Sequence, residues 1–210
     1  MARKGPSSQH AAAVAEGAKH HEGSKTYSGS LMRPHVPYLS EMVIRLGIRS
    51  ALDYGCGKGT QYQWRDPYHA NRTIEERWGF EVQKYDPCWQ PYATEPEGRF
   101  DLVICTHTLS LVPLLDLDWV IGRLLGLADR AVFIAEKIGA RKKREVAVEG
   151  DRAIGWTVAR WLDRLAPFAD QYPGIEFVFS SREQVAEWGA IMTRWTRRDR
   201  GWHGEVAGQR

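Results

Sequence analysis

The sequence is poor in three features that would assign it to a special class of protein. It has three cysteines, Cys56, Cys88 and Cys105, and no Cys-x-x-Cys pair. We therefore expect reduced thiols in a cytoplasmic protein, and neither a disulfide framework nor a metal site. No apolar run approaches the ~20 residues of a membrane span, and no apolar segment follows the basic start as in a signal peptide. The net charge of +3 is too small to indicate a general binder of polyanions.

The length of 210 residues suits one domain with a sizeable core. Residues 1–25 are rich in Ala, Gly, Ser, Lys and His without apolar periodicity, which predicts a flexible tail. Residues 26–196 carry the apolar patterns of a single domain. Residues 197–210 are basic and contain glycine, and we predict a second tail there.

Hydrophobic periodicity predicts strands that alternate with helices along this domain. Strands are predicted at 48–54, 80–85, 100–106, 130–136, 175–179 and 190–195, and helices at 38–46, 71–78, 114–127 and 156–168. This alternation indicates an α/β fold with right-handed crossovers and a doubly wound, mostly parallel sheet. The short link between the last two strands predicts a C-terminal antiparallel hairpin. Residues 87–99 are too few for a helix, a strand and a second helix, so we expect the sheet to lack a third strand there.

The most informative stretch is Ala-Leu-Asp-Tyr-Gly-Cys-Gly-Lys-Gly at residues 51–59. An apolar strand ends here in a carboxylate, and three glycines follow at alternate positions. Gly accepts positive φ, so we expect a tight loop that opens a helix and brings its backbone against a ligand. The first Gly of a phosphate-binding loop is absent, because position 52 is Leu. A dinucleotide fingerprint is also excluded, since Thr60 occupies the place of its last Gly.

Four segments together resemble the class I S-adenosylmethionine-dependent methyltransferases. They are the Asp53 glycine loop, Asp86 at the end of the second strand, Phe100-Asp101-Leu102-Val103, and Cys105-Thr106-His107-Thr108-Leu109. The resemblance covers residues 38–196, and a weaker similarity is to small members of phage and prophage type. It implies a methyltransferase-type, Rossmann-like sheet, S-adenosylmethionine as cofactor and methyl transfer as activity.

The resemblance also implies roles for single residues. Asp53, Gly55, Gly57 and Gly59 would hold the methionine part of the cofactor, and Asp86 would accept bonds from both ribose hydroxyls. Thr106 and His107 follow the central strand and would lie near the transferred methyl. His107 then has two open interpretations: a base that accepts a proton from the acceptor, or a wall residue that packs on the cofactor.

The sequence restricts the acceptor only in part. Related enzymes often carry Leu-Glu-His after the central strand, whereas this chain has Leu109-Ser110-Leu111. The motif of amino-methylating DNA enzymes is absent at this place, and Pro87-Cys88 lies in the wrong place for a cytosine C5 nucleophile. We expect an oxygen or nitrogen acceptor in a small-molecule or nucleobase-containing substrate. Two alternatives stay open: a protein that uses the cofactor for other chemistry, and a non-catalytic interaction module.

Three charged segments outside these motifs each have two open interpretations, one structural and one functional. The arm Tyr27–Pro37, with Arg33 and His35, is either a solvated segment or a cover that pairs Arg33 with the cofactor carboxylate. Glu136 and Lys137 either face substrate or pair with each other. The run Arg141–Arg144 and the arginines at 194, 197, 198 and 200 could bind nucleic acid, but such runs are typical of a solvated face.

Overall fold

The computed structural model describes residues 5–23, 27–138, 152–153, 155–185 and 189–206. Within these ranges seven strands form one sheet, in the order β2-β1-β3-β4-β5-β6-β7. The strands are β1 (Ala51–Tyr54), β2 (Val82–Tyr85), β3 (Phe100–Thr106), β4 (Ala128–Ile138), β5 (Glu176–Val185), β6 (Gly189–Arg198) and β7 (Gly201–Val206). The helices are α1 (Ser8–Gly23), α2 (Val36–Leu46), α3 (Ile74–Trp78), α4 (Leu114–Leu127) and α5 (Val158–Gln171).

The predicted α/β class is confirmed. Strands β1 to β5 run parallel to one another, β6 pairs antiparallel with β5, and β7 pairs antiparallel with β6. Helices α2 and α3 pack on one face of the sheet around Leu39 and Trp78, and α4 and α5 pack on the other around Ile121 and Trp161. The near-continuous apolar run of β3 follows from this arrangement, since a central parallel strand is buried on both faces.

The absence of a strand between β2 and β3 was also predicted correctly. Residues 87–99 are fully described, and they contain one 3₁₀ turn, Gln90–Tyr92, and no strand. Strand β2 therefore forms the edge of the sheet. Because β1 pairs parallel with both β2 and β3, the carboxyl ends of these three strands lie together at one edge of the sheet.

The prediction that the glycine loop opens a helix is wrong. Only a 3₁₀ turn, Thr60–Tyr62, follows it, and α3 begins later and has five residues. A capping box starts α3: the Thr73 side chain accepts from the Glu76 amide, and the Glu76 side chain accepts from the Thr73 amide. A ligand at the glycine loop would therefore meet loop backbone and not the N-terminus of a helix.

Both predicted tails are corrected by the structure. Residues 8–23 form α1, whose start is capped by Ser7 Oγ accepting from the Gln9 and His10 amides at 3.1 and 3.2 Å. At the other end, residues 197–206 complete β6 and form β7. The Trp202 indole there donates to the Leu162 carbonyl at 3.2 Å. The folded domain thus extends beyond residues 26–196 in both directions.

Helix α1 packs across the carboxyl end of the sheet and is fixed at several points. The Ser7 amide and hydroxyl donate to the Asp116 carboxylate at 2.6 and 2.5 Å. The Arg152 guanidinium lies 3.1 Å from Glu16. A Cβ on Gly17 would come within 2.5 Å of Cys88 Sγ, so this glycine allows the helix to approach the loop after β2.

The basic run Arg141–Arg144, for which we predicted a solvated face, lies outside the described residues. Among the helices that are described, none has the length and apolar character needed to cross a membrane.

The anchoring of α1 can be tested at Asp116, which is fully buried. Asp116→Ala removes two hydrogen bonds to a carboxylate, each worth about 1.5–3 kcal/mol, and should open α1 away from Cys88. We expect alkylation of Cys88 by a maleimide, followed by mass spectrometry, to accelerate by at least about tenfold. Asp118→Ala is the matched control, because Asp118 lies on the same helix and pairs with Arg164 at the surface. Equal rates in both variants would show that Asp116 does not hold α1.

Candidate functional site

A cavity of about 470 Å³ lies at the carboxyl end of the sheet, beneath α1. The loops after β1, β2 and β3 form its floor through Gly55, Gly57, Asp86, Thr106 and His107. The chain passes from β1 to β2 on one side and then to β3 on the other side of β1, so the strand order reverses at β1. Open α/β sheets bind ligands at such a switch point, so the cavity is the candidate functional site of the described chain.

Two of the three predicted loop glycines line this cavity. Gly55 and Gly57 have φ of +82° and +60°. A Cβ on Gly57 would lie 2.2 Å from the Tyr27 carbonyl oxygen, because the arm crosses the loop here. The Lys58 amide donates to that oxygen at 2.9 Å, and the Thr60 amide donates to Ser28 at 3.0 Å. Gly57 is therefore required by contact with the chain's own arm, which the sequence did not indicate.

Gly59 is not among the cavity residues. It has φ of +65° at the start of the 3₁₀ turn, and a Cβ there would lie 2.9 Å from the Tyr92 ring. The third glycine of the motif thus permits the packing of two loops and does not face the predicted site.

Asp86 occupies the predicted position at the end of β2 and lines the cavity. Its Oδ2 accepts from the Gly57 amide at 2.8 Å, and its Oδ1 accepts from the Cys88 amide at 2.8 Å. These two bonds fix the carboxylate between the loops after β1 and β2. Each oxygen keeps a second lone pair, which can accept from a ligand hydroxyl.

Asp53 does not line the cavity, because side chains alternate along β1 and Asp53 points with Ala51 toward the α2 face. It is fully buried, and its Oδ2 accepts from Gln61 Nε2 at 2.8 Å and from the Tyr62 hydroxyl at 2.9 Å. Burial raises the pKa of this carboxyl to about 6, although both hydrogen bonds act in the opposite direction. Its Oδ1 has no partner among the described residues.

Thr106 and His107 lie together at the end of β3, as predicted, and both line the cavity. His107 has φ of +57°, an uncommon conformation for a residue with a side chain. Its amide donates to the Ala135 carbonyl at 2.7 Å, which joins the turn to β4. The turn therefore presents the imidazole at the rim where β3 and β4 end.

Helix α1 supplies a wall of the cavity that the sequence analysis missed. Its lining residues are His10, Ala13, Val14, Glu16, Gly17, His20 and His21. His21 is buried, stacks on Tyr27 with ring centroids 4.9 Å apart, and lies 5.8 Å from the Trp89 ring. Burial lowers the pKa of His21, and nearby Asp86 opposes this effect. The Ser7 cap and the run of alanines were the signals that could have revealed this helix.

The arm is not a solvated segment throughout, since Met32 and His35 are buried. Arg33 stacks 5.1 Å from the Trp64 ring and is absent from the cavity lining, so its predicted pairing with a cofactor carboxylate finds no support here.

Glu136 is buried and accepts from the Ser110 amide at 3.3 Å, whereas Lys137 is exposed on the other face of β4. The predicted alternative of a Glu136–Lys137 pair is therefore wrong.

The buried carboxyl of Asp53 makes stability depend on pH. Its raised pKa means that the folded chain binds this proton more tightly than the unfolded chain does. The stabilisation is complete below about pH 4 and is lost as the pH rises through about 6, and two pKa units correspond to about 3 kcal/mol. Asp53→Asn should remove this part of the pH dependence, measured by urea unfolding from about pH 4 to about pH 7. Asp129→Asn at the surface is the control, and equal slopes for wild type and Asp53→Asn would contradict the assignment.

No known protein family and no curated protein matches this chain. The site must therefore be interpreted from its own geometry.

Proposed function

We propose that the cavity binds S-adenosylmethionine and that the chain transfers its methyl group to an oxygen or nitrogen of a small-molecule or nucleobase-containing acceptor. The observation that carries the proposal is the junction of the glycine loop and Asp86 at the switch point of a parallel sheet. A loop backbone that lines the cavity at Gly55 and Gly57, with a carboxylate at the end of the next strand, suits a nucleoside with a charged amino-acid tail. The absence of a complete phosphate-binding loop favours this ligand over a nucleoside triphosphate.

The residues present fit such a cofactor with one change from the expectation. Asp86 is oriented by two backbone amides and would accept from the ribose hydroxyls. The backbone at Gly55 and Gly57 would border the methionine part, and Thr106 would form the wall at its side. Asp53 would act from behind the loop, where its unpartnered Oδ1 is a buried acceptor that a cationic group nearby would stabilise.

The bound cofactor would supply an activated sulfonium methyl, so the protein's task is alignment more than acid–base chemistry. Helix α1 and the arm cover the loops and would exclude water from the reacting groups. His107 stands at the rim near the end of β3, where it would accept a proton from an acceptor that arrives protonated.

Asp86→Ala tests the cofactor site directly. It removes charge-assisted hydrogen bonds, and we expect S-adenosylmethionine to bind more weakly by about 1–3 kcal/mol in calorimetry. Asp129→Ala, at the exposed start of β4, is the control for loss of a carboxylate. Unchanged affinity in Asp86→Ala would exclude Asp86 from the site, and a wild-type protein that does not bind the compound would favour an interaction module.

His107→Gln separates a base from a wall residue. A base predicts a loss of kcat of about 10²-fold or more with the cofactor affinity intact, whereas a wall residue predicts weaker cofactor binding. The assay follows a radiolabelled methyl group into a cell extract incubated with the protein. Consumption of cofactor without a labelled product would favour the alternative of other chemistry with the same cofactor.

A further inference from the structure

Basic side chains gather at one place on the α2 face of the sheet, beside His107. Lys137 of β4 lies directly opposite Arg182 of β5 in the parallel ladder, and Ser180 lies opposite Arg194 of β6. Because side chains alternate along a strand, Ser180 and Arg182 project to the same face. We call Lys137, Arg182 and Arg194 the basic cluster.

His35 connects this cluster with the cavity. Its ring is 99% buried, its Nδ1 lies 3.5 Å from Ser180 Oγ, and its centroid lies 6.3 Å from that of His107. The Nε2 atom of His35 has no hydrogen-bond partner among the described residues. An unsatisfied polar atom at this depth costs free energy, so it marks a position where a ligand group would be stabilised.

The charged groups that the structure describes around His35 are cationic. Burial, and after it charge repulsion from His107, Arg194 and Arg182, lowers its pKa to about 3. Among the residues that the structure describes, the charged groups that act on His35 are His107, Arg194 and Arg182, and the Arg194 guanidinium stacks on the Tyr38 ring at 4.3 Å. His35 is therefore neutral at physiological pH and can donate or accept a hydrogen bond without adding charge.

Lys137 and Arg182 repel each other across the parallel ladder. Like charges directly opposite each other on a sheet are destabilising, and neither Lys137 nor Arg182 forms an ion pair with any residue that the structure describes. By contrast, Arg45 and Arg197 each pair with a carboxylate. An anion from outside would remove this repulsion and form charge-assisted hydrogen bonds.

We propose that the basic cluster binds a carboxylate or phosphate group of the acceptor and so holds the reacting oxygen or nitrogen at His107. The inference rests on the proposed function for the identity of the ligand as an acceptor, but the anion site itself does not. An anion site at this place would restrict the acceptors to small molecules that carry a negative charge a few bonds from the methylated atom.

The anion site is tested without cofactor by titrating the full chain with inorganic phosphate and, separately, with acetate at constant ionic strength. The readout is the side-chain NMR signals of ¹⁵N-labelled histidines, assigned by single His→Gln variants. We expect the His35 and His107 signals to shift and saturate together. Saturation by phosphate alone or by acetate alone identifies the chemical class of the acceptor, and no shift with either anion overturns the proposal.

Arg182→Ala should weaken this binding by about tenfold, and Arg182→Lys should restore part of it. Arg198→Ala is the matched control, because Arg198 is an exposed arginine on the same face of β6, about 13 Å from Arg194 along the strand. An equal loss in Arg182→Ala and Arg198→Ala would show a general charge effect and overturn the proposal, as would unchanged affinity in Arg182→Ala.

A calorimetric titration with S-adenosylmethionine separates the two proposals. Phosphate binding without cofactor binding would leave the anion site standing and end the proposed function. Cofactor binding without any response to phosphate or acetate would leave the proposed function standing and end the proposal of an anion site. If both bind, Arg182→Ala should keep the wild-type affinity for the cofactor, since the cluster lies outside the cavity lining.

Discussion

The Asp86 carboxylate joins the two loops on which the site depends. One oxygen accepts from the amide of the glycine loop and the other from the loop after β2. Because no helix directly follows the glycine loop, these hydrogen bonds to backbone amides fix the position of the loop. The geometry of the cavity floor therefore depends on one side chain that also lines the cavity.

Asp53 and Asp86 show how position alone gives two carboxylates different properties. Both lie near the carboxyl ends of short parallel strands, but Asp86 follows β2 and lines the cavity, whereas Asp53 lies within β1 and is fully buried. Two side-chain donors meet a single oxygen of Asp53. Its charge is therefore poorly compensated, which explains why burial outweighs hydrogen bonding in its pKa.

The sequence was sufficient for elements whose apolar pattern is strong. The bounds of β3 and α4 were predicted to the residue, and the missing strand followed from the short path between Asp86 and Phe100. Helix α1 was not predicted from the sequence because it consists mostly of small and polar residues and lacks an apolar stripe. Strand β7 was missed because its six residues include two glycines and contribute one packed hydrophobic residue, Trp202. The contact between the arm and Gly57 is tertiary and leaves no local pattern.

The position of Ser7 has a consequence for whatever polypeptide precedes it. Ser7 is bound to Asp116 near the start of α4, three residues before His10, which lines the cavity. A flexible tag joined to this end of the chain would stay near the cavity at an effective concentration on the order of millimolar. An amino-terminal affinity tag would thus compete at the mouth of the site, and a carboxyl-terminal tag is the better choice for ligand titrations.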